Sequence, residues 1–215
     1  MKFVAVVDYG MGNLRSVVKA LEHVAPADTR VRLMEGAEDI LEADRVVFPG
    51  QGAARDCMAA LRDRALIPVL TEVATTRPFL GICMGLQVLM DRSDENGGTD
   101  CLGLIAGGVR RFEDHQVDAQ GQRLKIPHMG WNQVHQTRAH PLWDGIEQDS
   151  RFYFVHSYHV VPSSYQMVAG TTQYGLPFAS AVAQDHIFAI QCHPEKSAAP
   201  GLTLLKNFMH WTGGV

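Results

Sequence analysis

No run of apolar residues in this 215-residue chain approaches the ~20 that a membrane-spanning helix needs. The first strand-like stretch, Lys2 to Val7, lacks the apolar h-region and cleavage site of a signal peptide. The cytoplasm is therefore the expected location, with no membrane partner. Basic blocks are absent as well: nineteen Lys plus Arg stand against twenty-three Asp plus Glu, for a net charge of −4. Nothing here supplies a row of phosphate contacts, which argues against nucleic acid. Cysteine is sparse, at four (Cys57, Cys83, Cys101, Cys192), with no C-x-x-C and no tight framework. In a chain of this size that pattern reads as free thiols rather than disulfides or a zinc site. No internal repeat, low-complexity tract or linker breaks the sequence, and 46% hydrophobic residues suffice for a sizeable core. A single domain over residues 1–215 is expected.

The first hundred residues alternate short β-branched runs with helical stretches, the pattern of a parallel sheet covered by helices. Strands are predicted at Lys2 to Val7, Val31 to Met34, Arg45 to Phe48 and Pro78 to Ile82. Helices are predicted at Leu14 to Val24, Ala37 to Ala43 and Ala53 to Leu66, with another from Leu86 to Asp91. Asn13 is the expected cap of the first helix. From about Leu102 strand-like runs follow closely: Leu102 to Ile105, Val109 to Phe112, Gln133 to His135, Phe152 to Val161, Met167 to Thr172, Ala179 to Ala183 and Ile187 to Gln191. They suggest antiparallel strands added to the sheet. An amphipathic helix closes the chain at Gly201 to Trp211, and Asp91 to Asp100 and Asp114 to Gln122 read as exposed loops.

Gly81-Ile82-Cys83-Met84-Gly85 lies between an apolar strand and a helix, the G-x-nucleophile-x-G template with sulfur in the nucleophile position. A sharp strand-to-helix turn strains the central residue, and side chains at the flanking positions would strike neighbouring elements, hence the glycines. Cys83 would project above the sheet edge near a helix N-terminus, with the Met84 N–H available to a developing oxyanion. A cysteine between glycines is also compatible with a small buried residue in a bend, so a partner is needed. His193-Pro194-Glu195 offers one, because residues i and i+2 of an extended segment face the same side and Pro194 stiffens it. Glu195 would hold the Nδ1 proton of His193 while Nε2 serves the thiol. Cys192 would face the opposite side, as a core thiol.

Other motifs carry less. Gly10-Met11-Gly12-Asn13 lacks the third glycine of a dinucleotide fingerprint, Arg15 standing in its place. His156 and His159, three apart in a strand-like run, should point to opposite faces, which disfavours a metal site. Met84, Met90, Met129 and Met209 read as core filler. Neither a cofactor nor a metal is expected.

The segments Gly81-Ile82-Cys83-Met84-Gly85-Leu86-Gln87 and His193-Pro194-Glu195-Lys196-Ser197 together resemble the class I, triad-type glutamine amidotransferases. Three more segments are similar to the branch formed by the glutaminase subunits of imidazole glycerol phosphate synthase. They are Asp8 to Leu14, His128-Met129-Gly130-Trp131-Asn132 and Tyr153-Phe154-Val155-His156-Ser157-Tyr158. The resemblance implies an α/β three-layer sandwich with a mostly parallel central sheet and added antiparallel strands.

It further implies that Cys83, His193 and Glu195 hydrolyse L-glutamine, with Gln87, Gly52 and the backbone at Ser157 and Tyr158 contacting that substrate. The oxyanion donors would be the N–H groups of Met84 and Gln51, the latter after the Gly50 peptide turns toward the site. Gln51 stands where the family pattern has valine, which gives this segment new hydrogen-bonding options. Trp131, Tyr153 and Lys196 match positions that would meet a (β/α)₈ barrel cyclase partner in a heterodimer. Two rivals share parts of this pattern. A free-standing hydrolase of the same fold explains the triad but needs no partner-facing segments, and a non-catalytic docking module needs none of Cys83, His193 and Glu195.

Overall fold

The computed structural model describes residues 2–118 and 120–214. Its elements run β1 (Lys2–Val7), α1 (Leu14–Val24), β2 (Thr29–Met34), α2 (Ala37–Leu41), β3 (Arg45–Gly50), α3 (Ala54–Asp63), α4 (Ile67–Thr76), β4 (Phe79–Cys83) and α5 (Met84–Gln87). The second half contains β5 (Arg92–Ser93), β6 (Thr99–Asp100), β7 (Gly107–Arg111), β8 (His128–Gln133), β9 (His135–Gln136), β10 (Arg151–His156), β11 (Tyr158–Pro162), β12 (Val168–Tyr174), β13 (Leu176–Gln184), β14 (Ile187–Ile190) and α6 (Ala198–His210).

Twelve strands form the main sheet, in the order β2-β1-β3-β4-β14-β13-β11-β7-β5-β6, with β12 and β9 attached through β13. From β2 to β14 neighbours are parallel, and antiparallel pairing begins at β13. Alternation along β1 sorts its side chains into two layers. Ala5 and Val7 pack with α2, α3 and α4 through Ile40, Met58, Leu61 and Leu70. Val4 and Val6 pack with α1 and α6 through Val17, Leu21, Leu204 and Phe208. The architecture is the three-layer α/β sandwich anticipated above. β8 and β10 pair only with each other, as a separate two-stranded sheet.

Several predicted elements differ. The helix expected to run to Leu66 ends at Asp63, because Ala65 turns left-handed (φ 53°), and α4, unanticipated, begins with proline in its first turn. The helix after Cys83 stops at Gln87 rather than Asp91. The carbonyls of Val88, Leu89 and Met90 accept from Leu102, Gly103, Leu104 and Ile105 instead of continuing a helix. That same exchange explains why Leu102 to Ile105 forms no strand: its N–H groups are taken by the loop after α5.

The run from Phe152 to Val161 is two strands in two sheets, divided at Ser157. His156 and His159 consequently do not point apart: both rings pack on Phe112, with centroids at 5.2 and 4.8 Å. The strand expected at Gln133 to His135 is replaced by β8, which lies earlier, and the short β9. Asn13 precedes α1 without a side-chain capping bond. The expected loop at Asp91 to Asp100 includes the paired strands β5 and β6.

Candidate active site

β4 delivers Cys83 to the carboxyl edge of the sheet with φ 56° and ψ −108°, a left-handed conformation that costs a non-glycine residue about 1–3 kcal/mol. Its glycine neighbours are required by contact. A Cβ on Gly85 would lie 1.9 Å from the Phe48 carbonyl oxygen of β3, and one on Gly81 would lie 2.9 Å from the Ala189 Cβ of β14.

β14 runs parallel to β4, so the segment following it arrives beside Cys83. His193 is 3% exposed, and its Nδ1 is 2.9 Å from Oε1 of Glu195, whose side chain is 1% exposed. Burial alone would hold the imidazole neutral; the adjacent Cys83 sulfur and the Glu195 carboxylate overcome it and raise its pKa. His193 Nε2 and Glu195 Oε2 are buried without hydrogen-bond partners. Cys192, one residue earlier, belongs to the α1/α6 core layer, where burial raises its thiol well above the ordinary value.

Cys83 and His193 line a cavity of about 490 Å³ together with Gln51, Gly52, Met84, Gln87, Ser157 and Tyr158. All the residues expected to hold substrate or an oxyanion thus meet at one opening. Met84 is the first residue of α5, and Gln51 follows directly on β3. Under that turn, the Tyr9 hydroxyl donates to the Pro49 carbonyl at 3.1 Å and occupies space that a Cβ on Gly50 would need, 2.3 Å away. Gly52 has φ +90°.

Three participants escaped the sequence reading. Gln191 Nε2 donates to Cys83 Sγ at 3.6 Å, while its Oε1 accepts from Gln87 Nε2 at 3.0 Å. It lies two positions before His193, so the alternation that linked His193 to Glu195 also points to it. Glu95 lines the cavity and accepts from the Ala54 N–H at the start of α3, at 2.7 Å. Nothing local in the sequence marks it. His156 is the third, on the wall formed by Val155 to Tyr158.

Trp131, Tyr153 and Lys196 fall outside this cavity but beside one another. The Trp131 and Tyr153 rings meet edge-on at 6.2 Å, and Lys196 Nζ sits 5.9 Å from the Tyr153 ring centroid. Trp131 is 44% exposed and Met129, on the same face of β8, 62%. The patch is joined to the candidate base by backbone: His193 N–H donates to the Tyr153 carbonyl at 2.9 Å. Among the described residues no cluster of His, Cys, Asp and Glu has the arrangement of a metal site, and no helix is long and apolar enough to cross a membrane.

A strained cysteine, an imidazole bonded to a buried carboxylate and a cavity that the cysteine and the imidazole both line meet at the carboxyl edge of a parallel sheet, a combination that nucleophilic hydrolysis could use. Residues 5–211 match the family described as glutamine amidotransferase class-I, and the chain belongs to that family of enzymes. Two relatives align over nearly their whole length, and each is named imidazole glycerol phosphate synthase subunit HisH. The protein from Hydrogenovibrio crunogenus is 58% identical (99% of this chain, 98% of that one), and that from Thiobacillus denitrificans is 57% identical (98% and 92%). The fold also matches PurLQS from Thermotoga maritima, with TM-score 0.72, 15% identity and coverage of 97% and 98%. The glutaminase domain of Trypanosoma brucei CTPS superposes with TM-score 0.65, 17% identity and coverage of 100% and 96%.

Proposed function

We propose that this chain, acting as one glutamine amidotransferase domain in the cytoplasm, hydrolyses L-glutamine to glutamate and ammonia. The ammonia passes to a (β/α)₈ barrel cyclase bound as a heterodimer. That partner makes imidazole glycerol phosphate and aminoimidazole carboxamide ribonucleotide in histidine biosynthesis. The observation that carries the reading is the buried His193 imidazole, bonded through Nδ1 to Glu195, which lines together with Cys83 a cavity large enough for an amino acid.

In this reading the Cys83 thiol gives its proton to His193 as Sγ adds to the side-chain amide carbon of glutamine, and the oxyanion is met by the N–H groups of Met84 and Gln51. His193 gives its proton to the departing nitrogen, which leaves as ammonia and a thioester on Cys83. Water, losing a proton to His193, then cleaves the thioester to release glutamate and restore the thiol. Gln87, Gly52 and the backbone of Ser157 and Tyr158 hold the substrate.

Free ammonia at neutral pH is mostly protonated and unreactive as a nucleophile, so a direct path to an acceptor is chemically necessary. The names of the two relatives, each a synthase subunit, support a partner. The exposed Trp131, Tyr153 and Lys196 patch, bonded through Tyr153 to the His193 backbone, is the surface assigned to it.

The test is ammonia release from glutamine by the purified chain, with and without the barrel subunit and its nucleotide. Low activity alone and strong activation in the complex are expected, since a missing oxyanion donor costs ~10²–10³ in rate. Equal, high rates in both conditions overturn the gated-subunit reading. Cys83→Ala should abolish glutamine-dependent synthesis and leave synthesis from added ammonium salts intact.

A further inference from the structure

β8 and β10 form the small sheet that carries Trp131 and Tyr153, whereas β11 belongs to the main sheet, and the chain passes between them at Ser157, on the cavity wall. A polar chain crosses that break inside an otherwise aromatic interior. The Gln133 N–H donates to Asn132 Oδ1 at 2.8 Å, which fixes the amide so that Nδ2 faces His128 Nε2 at 3.2 Å. His128 Nδ1 is 2.9 Å from His156 Nε2, and His156 Nδ1 is 2.7 Å from the Tyr158 carbonyl oxygen. The same carbonyl accepts from Gln87 Nε2 at 3.2 Å.

The backbone at each end determines where every proton sits. Asn132 Nδ2 can only donate, so His128 Nε2 must accept, and the proton of a neutral ring is then on Nδ1. At the other end a carbonyl can only accept, so His156 carries its proton on Nδ1 and presents Nε2 as an acceptor to His128. Both deductions give the same order, Asn132 to His128 to His156 to Tyr158. Phe154 and Tyr174 stack on His128, at 4.9 and 4.0 Å, and Phe112 and Phe178 each lie 5.2 Å from His156. Both imidazoles are buried, 3% and 5% exposed. In such surroundings the hydrogen bonds of the chain are mutually dependent, because any one that is missing strands a buried polar atom.

We propose that His128 and His156 are positioning residues for the glutamine reaction: their one-directional hydrogen-bond chain fixes the Tyr158 carbonyl, and through it Gln87, to the strand pair that carries Trp131 and Tyr153. Gln87 in turn bonds Gln191, whose Nε2 reaches Cys83. The chain thereby joins the exposed small sheet to the substrate side of the cavity. This inference rests on the glutaminase reading, because it assigns the pair's effect to glutamine binding.

The test compares His156→Phe, which keeps a flat ring but removes both bonds, with His156→Asn, whose side-chain amide can still donate toward the Tyr158 carbonyl. His128→Phe removes the upstream donor while retaining the aromatic stack, so the idea remains testable if one variant folds poorly. Steady-state glutamine hydrolysis is measured in complex with the barrel subunit. Expected is a rise in KM of about tenfold for His156→Phe, the size of one buried hydrogen bond, with kcat nearly unchanged and most of the loss restored in His156→Asn. Nitrogen NMR of the wild-type rings should show both as the Nδ1–H tautomer. A folded His156→Phe or His128→Phe with unchanged KM, a lowered melting temperature as the sole effect, or an Nε2–H tautomer on either ring overturns the proposal. A wild-type complex that releases no ammonia from glutamine instead removes the functional reading beneath it.

Discussion

The Ser197 hydroxyl joins His193 to Tyr153: it donates to the His193 carbonyl at 2.6 Å and accepts from the Tyr153 N–H at 3.0 Å. Together with the direct bond from His193 N–H to the Tyr153 carbonyl, it closes a small ring of hydrogen bonds between the candidate base and the exposed aromatic patch. Ser197 is fully buried, so water cannot replace its hydroxyl. Ser197→Ala should destabilise the fold by about 1–2 kcal/mol and weaken the link between partner binding and glutamine hydrolysis. Urea unfolding reads the first effect. The ratio of glutaminase rates with and without the barrel subunit reads the second, and it should fall toward one.

The two glycines of the cysteine elbow should differ sharply in tolerance. At Gly85 an added methyl meets the Phe48 carbonyl at 1.9 Å, which is backbone in the middle of a buried sheet and has nowhere to move. At Gly81 the nearest atom is a side-chain methyl at 2.9 Å. Gly85→Ala is expected to cost more than about 3 kcal/mol or prevent folding, and Gly81→Ala about 1–3 kcal/mol. Chemical denaturation of the pair checks the ranking, and equal stabilities would remove the steric account of the motif.

These contrasts explain what was legible in the sequence. The elbow is a local device: its glycines and its cysteine lie within five residues, so spacing alone exposes it. The His193 and Glu195 pairing is equally local, and alternation in an extended segment suffices to predict it. Gln191 bonds a sulfur 108 residues away, and Glu95 caps a helix that begins 41 residues earlier. Such contacts depend on strand order, which composition and periodicity do not specify. The missed helix α4 and the truncated α5 have a related cause. A left-handed Ala65 and a loop that captures the carbonyls after Gln87 override the apolar pattern; Pro68 in the first turn of α4 is the one local mark of the first break, and no glycine or proline marks the second.

Glu195→Gln probes the orientation of the imidazole. The carboxylate is essentially inaccessible to water and accepts from His193 Nδ1, so removing its charge leaves burial less opposed and lowers the imidazole pKa. A glutamine amide can also turn its NH₂ toward Nδ1 and select the wrong tautomer. The glutaminase rate should fall by about 10²–10⁴, while the partner's synthesis from ammonium salts is retained. NMR titration of His193 should show a pKa below the wild-type value. A variant within a factor of two of wild type in rate would exclude Glu195 as the orienting group.

Acid stability should be governed by histidines that stay neutral inside the fold. Burial lowers His128 and His140 to about 4 and His156 to about 3, against an ordinary value of 6.5. The unfolded chain therefore binds more protons than the folded one between pH 6.5 and about 4, and stability declines as pH falls through that window. His193 has the opposite sign: its raised value adds stability below 6.5 that is lost as pH climbs, so it contributes no slope in the acid range. Unfolding free energy measured from pH 6.5 to 4.5, below the window in which His193 acts, should drop steadily, with about three protons taken up on unfolding by His128, His140 and His156 near the lower end and a further contribution from His159, which burial also lowers. Replacing His140, which donates no bond to the candidate site and packs against Phe188 and Trp211, with a neutral residue should flatten that slope by about one proton. A pH-independent stability across the interval would show that these rings take up protons inside the fold as readily as in the unfolded chain.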